Sequence, residues 1–162
     1  RIKNMQPDAI SADDIRHSIA LKNQVVMEDP EEQGLRKILN FGHTIGHAIE
    51  GYSLTHDSDP LLHGEAIAIG MICEAYLSHR YHTLSEAELE LIVTVFQDQY
   101  PKYPLNPDHY PALLEIMAND KKNHQDQIGF SLISQIGTAT FGHYLNRDVI
   151  VESLEYYRQL TH

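Results

Sequence analysis

The sequence predicts a mainly α domain, a helical bundle with a small β-hairpin near its C-terminus. Two observations predict this class. Apolar residues recur every three or four positions over most of the chain, which is the spacing of amphipathic helices. Between residues 128 and 141 the pattern changes to two short apolar runs on either side of Gly137, which is typical of a hairpin.

The expected helices follow one another along the chain. Ser11 and Asp14 form a capping-box pattern ahead of the first, and Ser85 and Glu88 form another ahead of the fourth. The third helix is apolar on most sides, so we expect it to be the central, buried one. A polar loop is predicted at residues 51–60. The predicted helices span about residues 11–29, 32–51, 63–79 and 85–100, then a short one ending near 120 and a last one, capped by Asp148, through Leu160.

Composition limits the classes of function. The chain has 162 residues, 42% of them hydrophobic, which is enough to bury one core. Its formal charge of -11 disfavours nucleic acid and anionic membranes as partners. Cys73 is its single cysteine and lies in an apolar run, so we expect a buried thiol, no disulfide and a cytoplasmic protein. No apolar run reaches the length of a membrane span.

A group of histidines is the first chemical signal. His43 and His47 lie four residues apart in a predicted helix, which sets them on one face about 6 Å apart along its axis. His63 follows at the start of the next helix. Three convergent imidazoles with an open fourth position would make a catalytic zinc site. Because the chain has 11 histidines, the same spacing is also consistent with two exposed helix histidines.

Glycines accompany these histidines. Gly42 and Gly46 precede His43 and His47 inside the predicted helix, where each costs about 1 kcal/mol relative to alanine. Such a cost indicates either close helix packing or the close approach of a ligand. Gly64 follows His63 in the same way.

Longer motifs make the pattern specific, and they resemble the signature of the 3-dehydroquinate synthase family. The similarity spans residues 11–137, most of the chain. It rests on four segments: Asn40-Phe-Gly-His-Thr-Ile-Gly-His-Ala-Ile-Glu50, Leu62-His-Gly-Glu-Ala-Ile-Ala-Ile-Gly-Met71, Asp29-Pro-Glu-Glu-Gln-Gly-Leu-Arg36 and Asp120-Lys-Lys-Asn123.

The resemblance implies an activity. The family converts 3-deoxy-arabino-heptulosonate 7-phosphate to 3-dehydroquinate and phosphate in the shikimate pathway, as a lyase that uses NAD and zinc or cobalt. NAD transiently oxidises a ring hydroxyl, phosphate is eliminated, the ketone is reduced, and the ring opens and recloses. The metal polarises the hydroxyl that is oxidised.

The resemblance also implies roles for individual residues. His43 and His63 should be metal ligands, whereas His47 should face the substrate phosphate. Lys22, Arg36 and Asn40, together with His47, should be catalytic and contact the substrate carboxylate, hydroxyls or phosphate. Either Lys121 or Lys122 should reach the phosphate, and Glu32 matches an acid near the family's site. Each of these cations is also consistent with an ordinary solvated surface charge.

Some of the family's functional residues are expected outside this chain. We expect residues 1–162 to be a single metal- and substrate-binding domain, with the NAD-binding domain and the third metal ligand, a glutamate, elsewhere. Two histidines alone bind zinc weakly, so we expect the isolated chain to be inactive. Because it begins at Arg1 and not Met, we interpret it as a piece of a longer protein.

Other interpretations stay open at this point. Other sugar phosphate cyclases share the scaffold, including those that make 2-deoxy-scyllo-inosose or valiolone-type rings. Glycerol dehydrogenase-like enzymes share the two-domain plan and the metal histidines, without the Asp-Lys-Lys segment. A non-catalytic helical metal-binding or interaction module is a different class. A small sugar phosphate is the expected partner, and a homo-oligomer is left open.

Overall fold

A computed structural model describes residues 10–119 and 127–161 of the chain. Most of them are helical, and one antiparallel hairpin lies near the C-terminus, which confirms the predicted class. The elements are α1 (Ala12–Glu28), a 3₁₀ helix (Leu35–Asn40), α2 (His43–His56), α3 (His63–Tyr81), α4 (Glu86–Gln99), a 3₁₀ helix (Pro107–His109), α5 (Tyr110–Ala118), β1 (Ile128–Gln135), β2 (Thr138–Leu145) and α6 (Arg147–Gln159).

Both predicted capping boxes are present. The Ser11 hydroxyl accepts a hydrogen bond from the Asp14 N–H at the start of α1, and the Asp14 carboxylate accepts from the Ser11 N–H. Ser85 and Glu88 repeat this arrangement at the start of α4. These helices therefore begin where short-range sequence chemistry places them.

The second predicted helix is divided in the structure. The 3₁₀ helix Leu35–Asn40 comes first, and Gly42 then adopts a φ of 82°, through which a right-handed helix cannot continue. α2 begins at His43 and runs past Gly51 to His56, so the predicted loop at 51–60 was wrong over its first six residues. Ser53 explains the extension, because it is buried and its hydroxyl donates to the Asp57 carboxylate.

The C-terminal part agrees with the prediction apart from one cap. Ile128 pairs with Leu145, and the turn contains Gly137 at a φ of 92°. The residue at the N-cap of α6 is Asn146, and Asp148 lies in the first turn of the helix, where its charge favours the helix dipole.

α3 is the central helix, as its apolar sequence predicts. Eleven of its 19 residues are buried, and it packs against α2, α4, α6 and β1. Cys73 is fully buried in it, and burial raises the pKa of its thiol, in line with an inert role. No helix in the described part of the chain combines the length and apolar character that a bilayer span requires.

Candidate metal and substrate site

Three histidines converge where α2 and α3 begin. His43 is the first residue of α2, His47 lies one turn later, and His63 is the first residue of α3. One ligand atom from each ring lies within 4.8 Å of the other two. Tetrahedral zinc sets its nitrogen ligands about 3.3 Å apart, so modest side-chain rotations would close the set around an ion. The structure therefore brings the three rings together.

Two of the rings are oriented by acceptors at Nδ1. Nδ1 of His43 lies 3.1 Å from the Phe41 carbonyl oxygen, and Nδ1 of His63 lies 3.1 Å from Oε2 of Glu50. In the tautomer that carries the proton at Nδ1, each ring donates to its oxygen and leaves Nε2 free to bind a metal. This is how proteins commonly prepare histidines to bind a metal. The donor set therefore fits a divalent zinc-like ion.

Close helix packing brings the histidines together. An added Cβ at Gly70 of α3 would lie 2.0 Å from the carbonyl oxygen of Gly42 and 2.6 Å from the nitrogen of Gly46. The glycines before His43 and His47 are therefore explained by helix contact. An added Cβ at Gly64 would meet no atom within 4 Å, so helix contact does not explain this glycine.

A buried carboxylate holds the first turn of α2. Glu74 of α3 is 0% exposed, and its oxygens accept hydrogen bonds from the N–H groups of Gly42 over 2.6 Å and Ile45 over 3.1 Å. Burial raises the pKa of Glu74 to about 8, and the N–H groups of Ile45, Gly42 and Thr44 oppose that rise.

The loop before the 3₁₀ helix is organised by Asp29. Its carboxylate accepts hydrogen bonds from the N–H groups of Gln33, Gly34 and Arg36. The N–H groups of Arg36 and Gly34 are the main reasons why the pKa of Asp29 lies below its ordinary value. The same loop carries Glu32, which has a φ of 56° and accepts a hydrogen bond from the Asn40 amide over 2.8 Å. Glu32 and Asn40 are thus brought together.

The structure says less about the cations that were predicted to contact the substrate. Arg36 is half-buried, and its guanidinium donates to the Pro30 carbonyl oxygen over 2.9 Å. Lys22 is exposed on α1, a helix with no buried residue that packs against the Leu35–Asn40 3₁₀ helix. Lys121 and Lys122 lie outside the described residues. The substrate roles of these residues stay predictions.

Two clefts meet at Thr44. One of about 280 Å³ is lined by His43, His47 and residues of α5. The other, of about 340 Å³, lies between the Leu35–Asn40 3₁₀ helix, the start of α2 and the hairpin, and it contains Lys37 and Asn40. The Thr44 hydroxyl lies on both clefts and donates to the Gly129 carbonyl oxygen over 3.1 Å. Both volumes suit a small polar ligand.

Sequence reasoning assigned no role to Glu50, Glu74 or Asp29. Glu50 lies three residues after His47 in the motif, and this helical spacing on the histidine face was its available signal. Asp29 begins the motif that ends at Arg36. Glu74 had no local signal, because its partners lie about thirty residues earlier in the chain.

Comparison with known proteins agrees with this geometry. A model of the 3-dehydroquinate synthase C-terminal family matches residues 1–123. A 3-dehydroquinate synthase of Parabacteroides distasonis is 40% identical over 145 residues, covering 90% of this chain and 41% of the relative. One from Streptococcus pyogenes is 41% identical over 136 residues, covering 83% of this chain and 37% of the relative. The chain thus spans about two fifths of the length of these curated relatives.

Solved structures share the fold. A 2-deoxy-scyllo-inosose synthase in complex with carbaglucose-6-phosphate, NAD+ and Co2+ has a TM-score of 0.74 at 23% identity, covering 95% of this chain and 46% of that one. A 2-epi-5-epi-valiolone synthase from Streptomyces hygroscopicus with NAD+ and Zn2+ has a TM-score of 0.72 at 24% identity, covering 94% of this chain and 41% of that one. At these identities the likeness establishes the fold alone. Because the family model matches residues 1–123, more than half of its length, the chain belongs to the 3-dehydroquinate synthase C-terminal family.

Proposed function

We propose that residues 1–162 are the metal- and substrate-binding part of a 3-dehydroquinate synthase. The whole enzyme would convert 3-deoxy-arabino-heptulosonate 7-phosphate to 3-dehydroquinate and phosphate, as a lyase of the shikimate pathway in the cytoplasm. The convergence of His43, His47 and His63, inside motifs that match this family, carries the proposal.

His43 and His63 are the proposed metal ligands, for zinc or cobalt. The Nδ1 contacts to Phe41 and Glu50 support this choice, because they leave Nε2 of each ring available. When bound, the metal would supply Lewis-acid polarisation of the substrate hydroxyl. The third ligand and the NAD site are proposed to lie outside residues 1–162. The isolated chain is therefore proposed to be inactive.

The substrate's negative charges need cationic and polar partners, which we propose are Lys22, Arg36, Asn40 and His47, with Lys121 or Lys122 at the phosphate. The Arg36 guanidinium is planar and forked, so it suits bidentate contact with a carboxylate or phosphate. Asp29 accepts a hydrogen bond from the Arg36 backbone, and Glu32 accepts one from the Asn40 amide, so the preceding loop holds the 3₁₀ helix that carries both side chains. In a chain of charge -11 these cations would form a local basic site.

A second candidate is another sugar phosphate cyclase. The fold likeness to a 2-deoxy-scyllo-inosose synthase in complex with carbaglucose-6-phosphate supports it. Both candidates share the proposed metal ligands and a phosphorylated sugar, so they differ in the groups that the substrate presents beside the phosphate. The heptulosonate carries a carboxylate, and glucose 6-phosphate does not.

A chimera tests the proposal. In the Parabacteroides distasonis relative, the matching 145-residue segment is replaced by the corresponding part of this chain, and phosphate release is measured with NAD and zinc. We expect turnover of 3-deoxy-arabino-heptulosonate 7-phosphate and none of glucose 6-phosphate. A His43→Ala chimera should lose turnover, while Glu90→Ala, an exposed site on α4, should keep it.

The outcomes separate the candidates. Turnover of glucose 6-phosphate alone would favour the second candidate. A folded, zinc-loaded chimera that releases phosphate from neither compound would contradict both.

A further inference from the structure

Glu74 is a fully buried carboxylate, which is costly unless its oxygens are hydrogen-bonded. It lies on α3, one helical turn after Gly70, where α3 passes closest to the start of α2. Its Oε2 accepts from the Gly42 N–H over 2.6 Å, and its Oε1 accepts from the Ile45 N–H over 3.1 Å. Both oxygens are therefore directed at one helical turn of a different helix.

This arrangement replaces a local helix cap. In an ordinary capping box, the N-cap side chain accepts from the N–H three residues later, and an acid at that later position accepts from the N-cap N–H. In α2 these two positions are Gly42 and Ile45, and neither has a side chain that accepts. Glu74 performs both functions with one carboxylate. In its ionised form, the Glu74 carboxylate also favours the N-terminal end of the helix dipole.

The capped turn is the one that carries the first proposed metal ligand. His43 lies between Gly42 and Ile45, whose N–H groups Glu74 holds. The helix that bears Glu74 begins with His63. α3 therefore fixes both ligands, one at its own first residue and the other through Glu74.

We propose that Glu74 is a positioning residue for the histidine site, because its carboxylate fixes the first turn of α2 and so sets His43 opposite His63. The ring centroids of these two histidines lie 6.0 Å apart. What the histidines bind rests on the proposed function, whereas the effect of Glu74 on their arrangement does not.

The competing explanation is that Glu74 only adds to overall stability. Leu154→Ala is the matched control, because Leu154 is equally buried and lies on α6, outside the α2 turn. Glu74→Ala removes both acceptors. Glu74→Gln keeps the side-chain volume and one oxygen acceptor, and it decides the question if the alanine variant does not fold.

Two measurements on the 162-residue chain test the proposal. Without metal, nuclear magnetic resonance follows hydrogen exchange at Gly42, Thr44 and Ile45 and the ring-proton contact between His43 and His63. With Co2+ as the probe, visible absorption gives the affinity and the ligand-field spectrum.

We expect Glu74→Ala to lose hydrogen-exchange protection in this turn at least about tenfold beyond the loss of protection over the whole chain. The same variant should weaken Co2+ binding by about 10–100-fold. Glu74→Gln should be intermediate, and Leu154→Ala should keep the parent's Co2+ affinity within about twofold.

Preserved protection and ring contact in the folded Glu74 variants would overturn the proposal. An equal loss of Co2+ affinity in Leu154→Ala would also overturn it. If the parent chain binds no Co2+, the proposed metal site fails, and the metal-free measurement still decides the positioning role of Glu74.

Discussion

Nδ1 of His63 lies 3.1 Å from Oε2 of Glu50, so the first residue of α3 is oriented by a carboxylate on α2. The Glu50 side chain is 24% exposed, and the His63 side chain is 57% exposed. The partly enclosed acid therefore holds a ring that would otherwise rotate in solvent. A carboxylate behind a histidine fixes its tautomer and raises its strength as a ligand.

Glu50→Ala should weaken zinc binding by about 10–100-fold, because the His63 ring loses its orientation. Isothermal titration calorimetry of the metal-free chain measures the change. Glu90→Ala, which removes an exposed glutamate from α4, should leave the affinity unchanged. Parental affinity in the Glu50 variant would show that this contact does not serve the site.

His47→Ala should keep most of the zinc affinity, because we assign His47 to the substrate phosphate. The geometry makes this a demanding test, since the His47 ligand atom lies within 4.8 Å of those of His43 and His63. Inorganic phosphate added to the zinc-loaded chain should bind more weakly in this variant, as measured by calorimetry. A loss of zinc affinity as large as that of His43→Ala would make His47 a metal ligand instead.

Gly70→Ala should destabilise the chain by about 3 kcal/mol or more, because its Cβ would overlap the Gly42 carbonyl oxygen at 2.0 Å. Chemical denaturation measures the free energy of unfolding. Gly51→Ala is the matched control inside α2, where an added Cβ meets nothing within 4 Å, and it should stabilise by up to about 1 kcal/mol. Equal effects of the two substitutions would contradict the described packing of α2 on α3.

The loop between Asp29 and Arg36 should loosen in acid. The folded pKa of Asp29 is lowered below 3.8 by hydrogen bonds to its ionised form, so the stabilisation is fully present above 3.8 and is lost as the pH falls through the lowered value. Amide chemical shifts of Gly34 and Arg36 should titrate with a midpoint below 3.8. Asp29→Asn should remove this titration, and a midpoint at or above 3.8 in the parent would contradict the assignment.

Local chemistry explains how much of the fold was predictable. Ser11 with Asp14, and Ser85 with Glu88, act within one turn, so the starts of α1 and α4 could be predicted. The α2 start could not, because its acceptor is Glu74 on another helix. The extension of α2 beyond Gly51 depends on the burial of Ser53, which is also a tertiary effect.

In the candidate site, too, some features could be predicted from local sequence and others depend on tertiary packing. The spacing of His43 and His47 predicts one helix face, and His63 stands at the start of the next predicted helix, so the three rings could be named before their positions were known. Their Nδ1 partners, Phe41 and Glu50, could not be assigned, because each contact depends on a ring rotamer and, for His63, on how α2 packs against α3.

Zinc titration into the metal-free chain tests whether His43 and His63 hold a metal ion. Calorimetry of the parent is compared with a His43→Ala/His63→Ala double variant, while circular dichroism checks that both chains are folded. We predict weak zinc binding by the parent, since the third ligand is proposed to lie outside this chain, and loss of that binding in the double variant. No binding by the parent, or the same binding by both chains, would contradict a metal site at His43 and His63.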